Sequence, residues 1–344
     1  MDKPFTRQKV ADVPTQPKGS AHSGIQPAHQ ATNCRQVSVA RPEDITVDPS
    51  SGMAFISSVE GAIYGLDLQS DSLEPVNLTR DLPSGFVFRP HGISLYLDAD
   101  GENRLFAVNH RAKYQHSIEI FSIETSRLRH LRSISDRLLV SPNDLVAIGR
   151  EQFYVTNDSG YRPTFMKGME LVFRLAKGSV VYYDKEFTKV ADGIAMANGI
   201  AVDRVHKRLY VSAFQSEKIL VYAWDPDNPA HYLGEPDEIL LSASPDNLEW
   251  DQAGDLWIGA HPSFWASLLY IFHLRKTAPS QVIRLRLTGV AKPVPEEVFR
   301  DDGTKLSASS VAAVYQTETK HYLLIGALDS HFLMCDLRPL ELQE

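Results

Sequence analysis

Seven carboxylate and amide side chains recur at one kind of place in this sequence. Six strand-like runs each open on a polar residue or pair: Glu43-Asp44, His91, Asn143-Asp144, Asn198, Asp246-Asn247 and Ser309-Ser310. The neighbouring Ile45, Ile93, Leu145, Ile200 and Leu248 are apolar, so solvation alone does not account for the polar positions. Turned toward one point, four carboxylates and three amides would repel one another and leave polar atoms unpaired, a penalty that a hard cation removes. Calcium suits such a set because it takes about 6–8 oxygen ligands in flexible geometry. Zinc would ask for Cys or His, and magnesium for a tighter octahedron with more waters. Any single Asn-Gly or Asn-Asp pair is better read as an Asx turn or a strand-end cap; five runs in one register favour metal. Among the 12 histidines, His91 occupies one of these openings and His110 ends the following strand-like run. Their side chains can therefore hydrogen-bond near the cation, and a His pair titrating near neutrality can draw a proton from water. A lone His is more often a packing residue. His261 holds in its own run the place of His110 and reads as a pocket-wall residue.

These residues need elements that bring them together, and the repeats supply them. After each polar opening comes a turn signal such as DPSSG, DADG, DRVHK or DQAGD, then a β-branched and aromatic run. Those second runs are Met53–Ser58, Arg104–His110, Gln152–Asp158, Arg208–Phe214, Asp255–His261 and Leu323–Leu328. The openings lie 48, 52, 55, 48 and 63 residues apart, close to the roughly 40–50 residues of a four-stranded propeller blade. The expected fold is all-β, a six-bladed β-propeller with a central tunnel holding calcium, since innermost strands run along the tunnel and equivalent positions converge at one mouth. The segment Phe264–Leu274 fits either a helix or a strand. Cys34 and Cys335 stand 301 positions apart. They are either unrelated buried thiols or a disulfide at the seam of the ring, and ring closure favours the disulfide, at no more than ~5–6 kcal/mol.

Residues 1–33 are polar and rich in Pro, Gln, His and Ala, without an apolar signal-like core. They are expected to form a disordered arm, with 34–344 a single propeller domain. The formal net charge of -8 argues against a nucleic-acid partner. No stretch approaches the roughly 18 apolar residues of a membrane span; the partner expected of a tunnel-mouth site is a small-molecule substrate, and oligomeric state is left open. The compartment stays open as well, because the cysteine pair suggests an oxidising space and the polar arm does not resemble a secretory signal. Asn77-Leu78-Thr79 and Asn157-Asp158-Ser159 are glycosylation sequons in form.

Five runs carry a family likeness: PHGIS (Pro90–Ser94), VNH (Val108–His110), NDLVAIG (Asn143–Gly149) with FYVTND after it, ANGIAV (Ala197–Val202), and DNLEWDQAGDLWIGAHP (Asp246–Pro262). Together they resemble the paraoxonase/arylesterase family, over about Cys34 to Leu337. The resemblance implies a six-bladed propeller with two calcium ions and broad lactonase and arylesterase activity, some members also hydrolysing organophosphate triesters. It implies that Glu43, Asn143, Asn198, Asp246 and Asn247 ligate an upper, catalytic calcium. Asp44, Asp144 and the backbone carbonyl of Ile93 would hold a deeper, structural one. His91 and His110 match the family's His dyad, and Cys34 and Cys335 its disulfide. On this reading water attacks a calcium-polarised carbonyl, with His91 as base and His110 orienting or relaying; Glu43 or Asp246 is the alternative base. The chain departs from the family in its polar arm, in Ala260 where a cysteine is expected, and in the divergent segments Ser159–Met169 and Ser263–Leu274. The rival readings are a gluconolactonase-like or strictosidine-synthase-like enzyme and a non-catalytic calcium-stabilised propeller. The PHGIS and VNH histidines favour the hydrolase.

Overall fold

The computed structural model describes residues 29–70, 72–112, 115–162 and 165–339. Its strands form six four-stranded sheets, each paired antiparallel strand to strand. Sheets one to five are built from consecutive strands, which short turns permit. Their innermost strands are Pro42–Asp48, Pro90–Tyr96, Pro142–Ala147, Ala197–Asp203 and Ser244–Trp250, and that of the sixth sheet is Ser309–Gln316. The six expected openings are therefore the starts of six inner strands.

What holds the sheets in a ring is apolar packing between their faces. Six hydrophobic clusters occur among the described residues, one between each pair of neighbouring blades. One joins blades three and four through Tyr154, Val180, Val211 and Tyr222. The cluster that closes the ring joins blades six and one, with Val311, Tyr315 and Phe332 against Ile45, Ile56 and Leu66. Strands in the middle of a blade bury both faces, so they read as continuous apolar runs: Phe153–Asn157 is buried at every position.

The sixth blade takes its first three strands from the C-terminal end and its outer strand, His29–Val37, from the N-terminal end. Cys34 on that strand is disulfide-bonded to Cys335 on its neighbour, Phe332–Pro339. The chain is already strand at His29, so His29–Asn33 belong to the blade and not to the polar arm expected over 1–33. That reading followed composition, whereas pairing with Asp336–Pro339 recruits the segment regardless of its polarity. The rest of the expected arm, 1–28, lies outside the described residues.

Two helices stand outside the sheets: α1, Phe165–Phe173, and α2, Phe264–Ile271. The segment Phe264–Leu274, left open between helix and strand, is thus helical over Phe264–Ile271. Ser263 caps it, its Oγ accepting from the Ala266 N–H.

Candidate active site at the tunnel mouth

Each inner strand carries a register break at its polar opening. The breaks fall between Pro42 and Asp44, Pro90 and Ile93, Pro142 and Leu145, Ala197 and Ile200, Pro245 and Leu248, and Ser309 and Val311. A bulge bends its strand and re-aims side chains. Six in the same register turn six polar residues out of the ladder at one mouth. Gly92 and Gly199 allow this crowding, because a Cβ at either would collide with backbone of the next blade, Asp144 and Asp246 respectively.

The residues expected to hold the upper cation gather there. Glu43 is buried; its Oε1 accepts from Asn247 Nδ2 at 3.2 Å and lies 3.4 Å from His91 Nε2. That same imidazole nitrogen lies 3.4 Å from Asn143 Nδ2. The Glu43 carbonyl accepts from Ser310 Oγ at 2.5 Å and from Asn247 Nδ2 at 3.3 Å, drawing blades five and six to blade one. Asn198 opens the strand of blade four, between Asn143 and Asp246 in the ring. Asp246 is buried, its Oδ2 bonded to His261 Nε2 at 2.8 Å, while His261 Nδ1 meets Ser267 Oγ on α2 at 2.8 Å. His261 is therefore not an open pocket wall: it is 1% exposed and fixes the Asp246 carboxylate.

Four oxygens at this mouth are buried without a hydrogen-bond partner among the described residues: Glu43 Oε2, Asn143 Oδ1, Asn198 Oδ1 and Asn247 Oδ1. Each is an acceptor, and each belongs to the expected ligand set. Orphaned buried acceptors are costly, and four together fit an oxygen-ligated cation. Among the described residues no three His, Cys, Asp or Glu converge to hold a metal by themselves; the donor set is mainly amide oxygen, as hard cations accept. Burial, reinforced by the charges of Asp44, Asp246 and Asp144, pushes the Glu43 carboxyl well above the usual range. A cation among these groups would relieve that repulsion.

Deeper in the tunnel, Asp44 accepts from its own strand (Ile45 N, 2.9 Å) and from blade two (Ile93 N, 2.7 Å). Asp144 does the same with Leu145 N at 2.7 Å and Ile200 N at 2.9 Å, in blade four. Both carboxylates thus staple neighbouring blades, unlike the orphaned oxygens above. Burial raises the Asp44 carboxyl to about 7 despite these donors, and raises Asp144 well above the usual range, the charge of Asp44 adding to it. A third carboxylate, Glu249, joins them, raised by burial and then by Asp44 and Asp144. With Thr46, Ser94, Asp144 and Trp250 it lines a cavity of about 530 Å³ toward the other end of the inner strands. Sequence reading missed Glu249, although counting by two from Asn247 along the strand reaches it.

His91 and His110 come together as expected, but by ring packing: they meet edge to face with centroids 5.1 Å apart. The hydrogen bond of His110 goes instead to His116, Nδ1 to Nδ1 at 2.8 Å. Burial depresses the His91 pKa to about 4 and that of His110 well below the usual value, so both are neutral at neutral pH. His116, just across the strand turn from His110, was not singled out in sequence. Neither was Lys167 on α1, whose Nζ donates to Asp158 at 2.8 Å and to Ser141 Oγ at 2.8 Å. The sequon residue Asn157 is fully buried and hydrogen-bonded to Ser141 N and Leu138 O, which leaves no room for a glycan.

A closed six-bladed ring with an oxygen-rich, histidine-flanked mouth defines the class: a propeller with a tunnel-mouth site. Comparison with known proteins narrows it. The Arylesterase family profile matches residues 43–337. The chain is 33% identical to rat (Rattus norvegicus) serum paraoxonase/arylesterase 2 over 327 residues, 89% of each chain. It is 32% identical to human (Homo sapiens) serum paraoxonase/arylesterase 1 over 315 residues, covering 86% of this chain and 85% of that one. The chain belongs to the arylesterase family. Among solved structures, the calcium-binding protein regucalcin from Agrobacterium tumefaciens superposes with a TM-score of 0.55 at 13% identity, covering 89% of this chain and 95% of that one. At such identity the likeness speaks for the fold alone.

Proposed function

We propose that this chain is a calcium-dependent hydrolase of lactones and aryl esters, with its reaction centre at the bulged tunnel mouth. The observation that carries the reading is the set of four orphaned oxygens on Glu43, Asn143, Asn198 and Asn247. With Asp246 they would hold the upper of two calcium ions, and Asp44, Asp144 and the Ile93 carbonyl would hold the lower. Family membership and the arylesterase names of its relatives support the reaction class. When bound, the upper ion supplies a Lewis-acid contact for the scissile carbonyl and its developing oxyanion.

The remaining work falls to side chains. His91 is neutral and 21% exposed, beside Glu43 and Asn143. It is the base that takes a proton from the attacking water, and His110 packs against it. His261 fixes Asp246 by engaging one of its carboxylate oxygens, which leaves the other without that partner. The Lys167–Asp158 pair ties α1 to the rim beside blade three.

The test is a hydrolysis assay with phenyl acetate and a panel of γ- and δ-lactones. Activity abolished by EDTA and restored by calcium supports the reading. Turnover indifferent to chelation, or tight binding without turnover, overturns it.

A further inference from the structure

The His91–His110 contact is extended by a third ring. His110 and His116 sit opposite each other on paired strands, their rings edge to face at 4.9 Å and their Nδ1 atoms 2.8 Å apart. Two neutral imidazoles sharing such a bond need one donor and one acceptor, so the proton position on one ring fixes it on the other. Which ring donates follows from the surroundings of His116. Its Nε2 is buried with no hydrogen-bond partner among the described residues. A bare buried N–H is the rarer and costlier orphan, compared with an under-used acceptor. His116 lines a surface pocket with Arg111, Arg137 and Arg162, against one carboxylate, Asp136. These cationic surroundings favour a lone pair at Nε2 over an N–H.

We propose that His116 is a positioning residue that donates its Nδ1–H to His110 Nδ1 and so holds His110 in its Nε2–H tautomer. The proton of His110 then lies on the ring nitrogen away from His116. That proton is then free of the His116 bond, on the ring that packs edge to face against His91. No charge moves in this arrangement: each ring carries one proton, and the bond only decides where. The catalytic consequence rests on the hydrolase reading above; the tautomer assignment does not.

Three variants separate the alternatives. His116→Asn places an amide where Nδ1 was and can still donate; His116→Asp places an acceptor-only carboxylate at the same reach and pulls the His110 proton onto Nδ1. His116→Phe keeps the ring and removes the bond. The expected result is kcat within about threefold of wild type for the Asn variant. The Asp and Phe variants should lose about tenfold or more, with KM for phenyl acetate and calcium affinity unchanged. A wrong histidine tautomer can cost far more than that in a hydrolase. Nitrogen-15 spectra of histidine-labelled protein should report Nε2–H at His110 in wild type and Nδ1–H in His116→Asp. Wild-type kcat in His116→Phe, equal kcat in the Asn and Asp variants, or an Nδ1–H signal at His110 in wild type overturns the proposal. If wild type hydrolyses none of the esters or lactones, the hydrolase reading fails, and the spectra still decide the tautomer.

Discussion

At the scale of residues, the tunnel mouth separates into groups that would bind and a group that would react, and substitution should split them. His91→Gln keeps an amide near Glu43 and Asn143 but removes the imidazole, so kcat should fall about 10²–10⁴-fold while calcium affinity by titration calorimetry stays within a fewfold. Unchanged turnover would assign the base to a carboxylate. Asn198→Ala deletes an orphaned oxygen that belongs to no other interaction. It should weaken calcium binding by about tenfold or more, and saturating calcium should then recover much of the activity. If calcium affinity is unchanged, Asn198 is no ligand. The ligand candidates were legible in sequence because every one is an acceptor at an equivalent position. The histidines were less so. His116 and the His110 tautomer depend on which residues face each other across a strand turn, and no local pattern encodes that.

At the scale of elements, the register breaks do the aiming. Their presence could not be read from the sequence, since Glu43-Asp44 or Asp246-Asn247 is equally compatible with an unbroken ladder. The sequence does show that a polar pair interrupts an apolar run. The second aiming device is α2, which reaches Asp246 through Ser267 and His261. His261→Leu should release that carboxylate and weaken calcium binding by about 10–100-fold; unaltered affinity in calorimetry would mean that the backbone alone holds Asp246. A third device ties blade five together: the buried Asp255 accepts from Leu287 N at 2.8 Å, Thr288 N at 3.0 Å and Arg284 Nη2 at 2.5 Å. Burial works to raise its pKa, but the two N–H donors and Arg284 outweigh it and leave the carboxyl below its usual value. A depressed folded pKa contributes stability that is complete above the ordinary Asp value of about 3.9 and is lost as pH falls through the folded one. Asp255→Asn should therefore cost about 2–4 kcal/mol in urea unfolding at pH 7. The gap from wild type should narrow below about pH 3.9; a gap that does not change with pH would show that shape, not charge, makes this tie.

At the scale of the molecule, the ring is closed at its rim and drawn together at its axis, and the two closures are physically separate. The rim closure is the sixth blade, whose outer strand comes from the opposite end of the chain and is bonded through Cys34 and Cys335. The blade count was legible because each blade repeats one pattern. The seam was legible from Cys34 and Cys335, but the start of the borrowed strand at His29 was not, because His29–Asn33 carry no apolar signature and their partners lie about 300 residues away. The axial closure is electrostatic. Carboxylates from blades one, three and five repel one another there, and a cation that binds only the folded ring stabilises it by ~1.4 kcal/mol per tenfold excess over its Kd. Replacing both cysteines by serine, as Cys34→Ser with Cys335→Ser, should cost about 2–5 kcal/mol, a fall of roughly 3–8 °C in Tm. Chelation should lower Tm by an amount that grows with the calcium concentration it replaces. Because rim and axis share no side chains, the two losses should add to within about 0.5 kcal/mol. Calorimetry of the serine variant with and without calcium measures this. A shortfall in the sum would mean that opening the seam already loosens the tunnel, so that rim and axis form one cooperative closure.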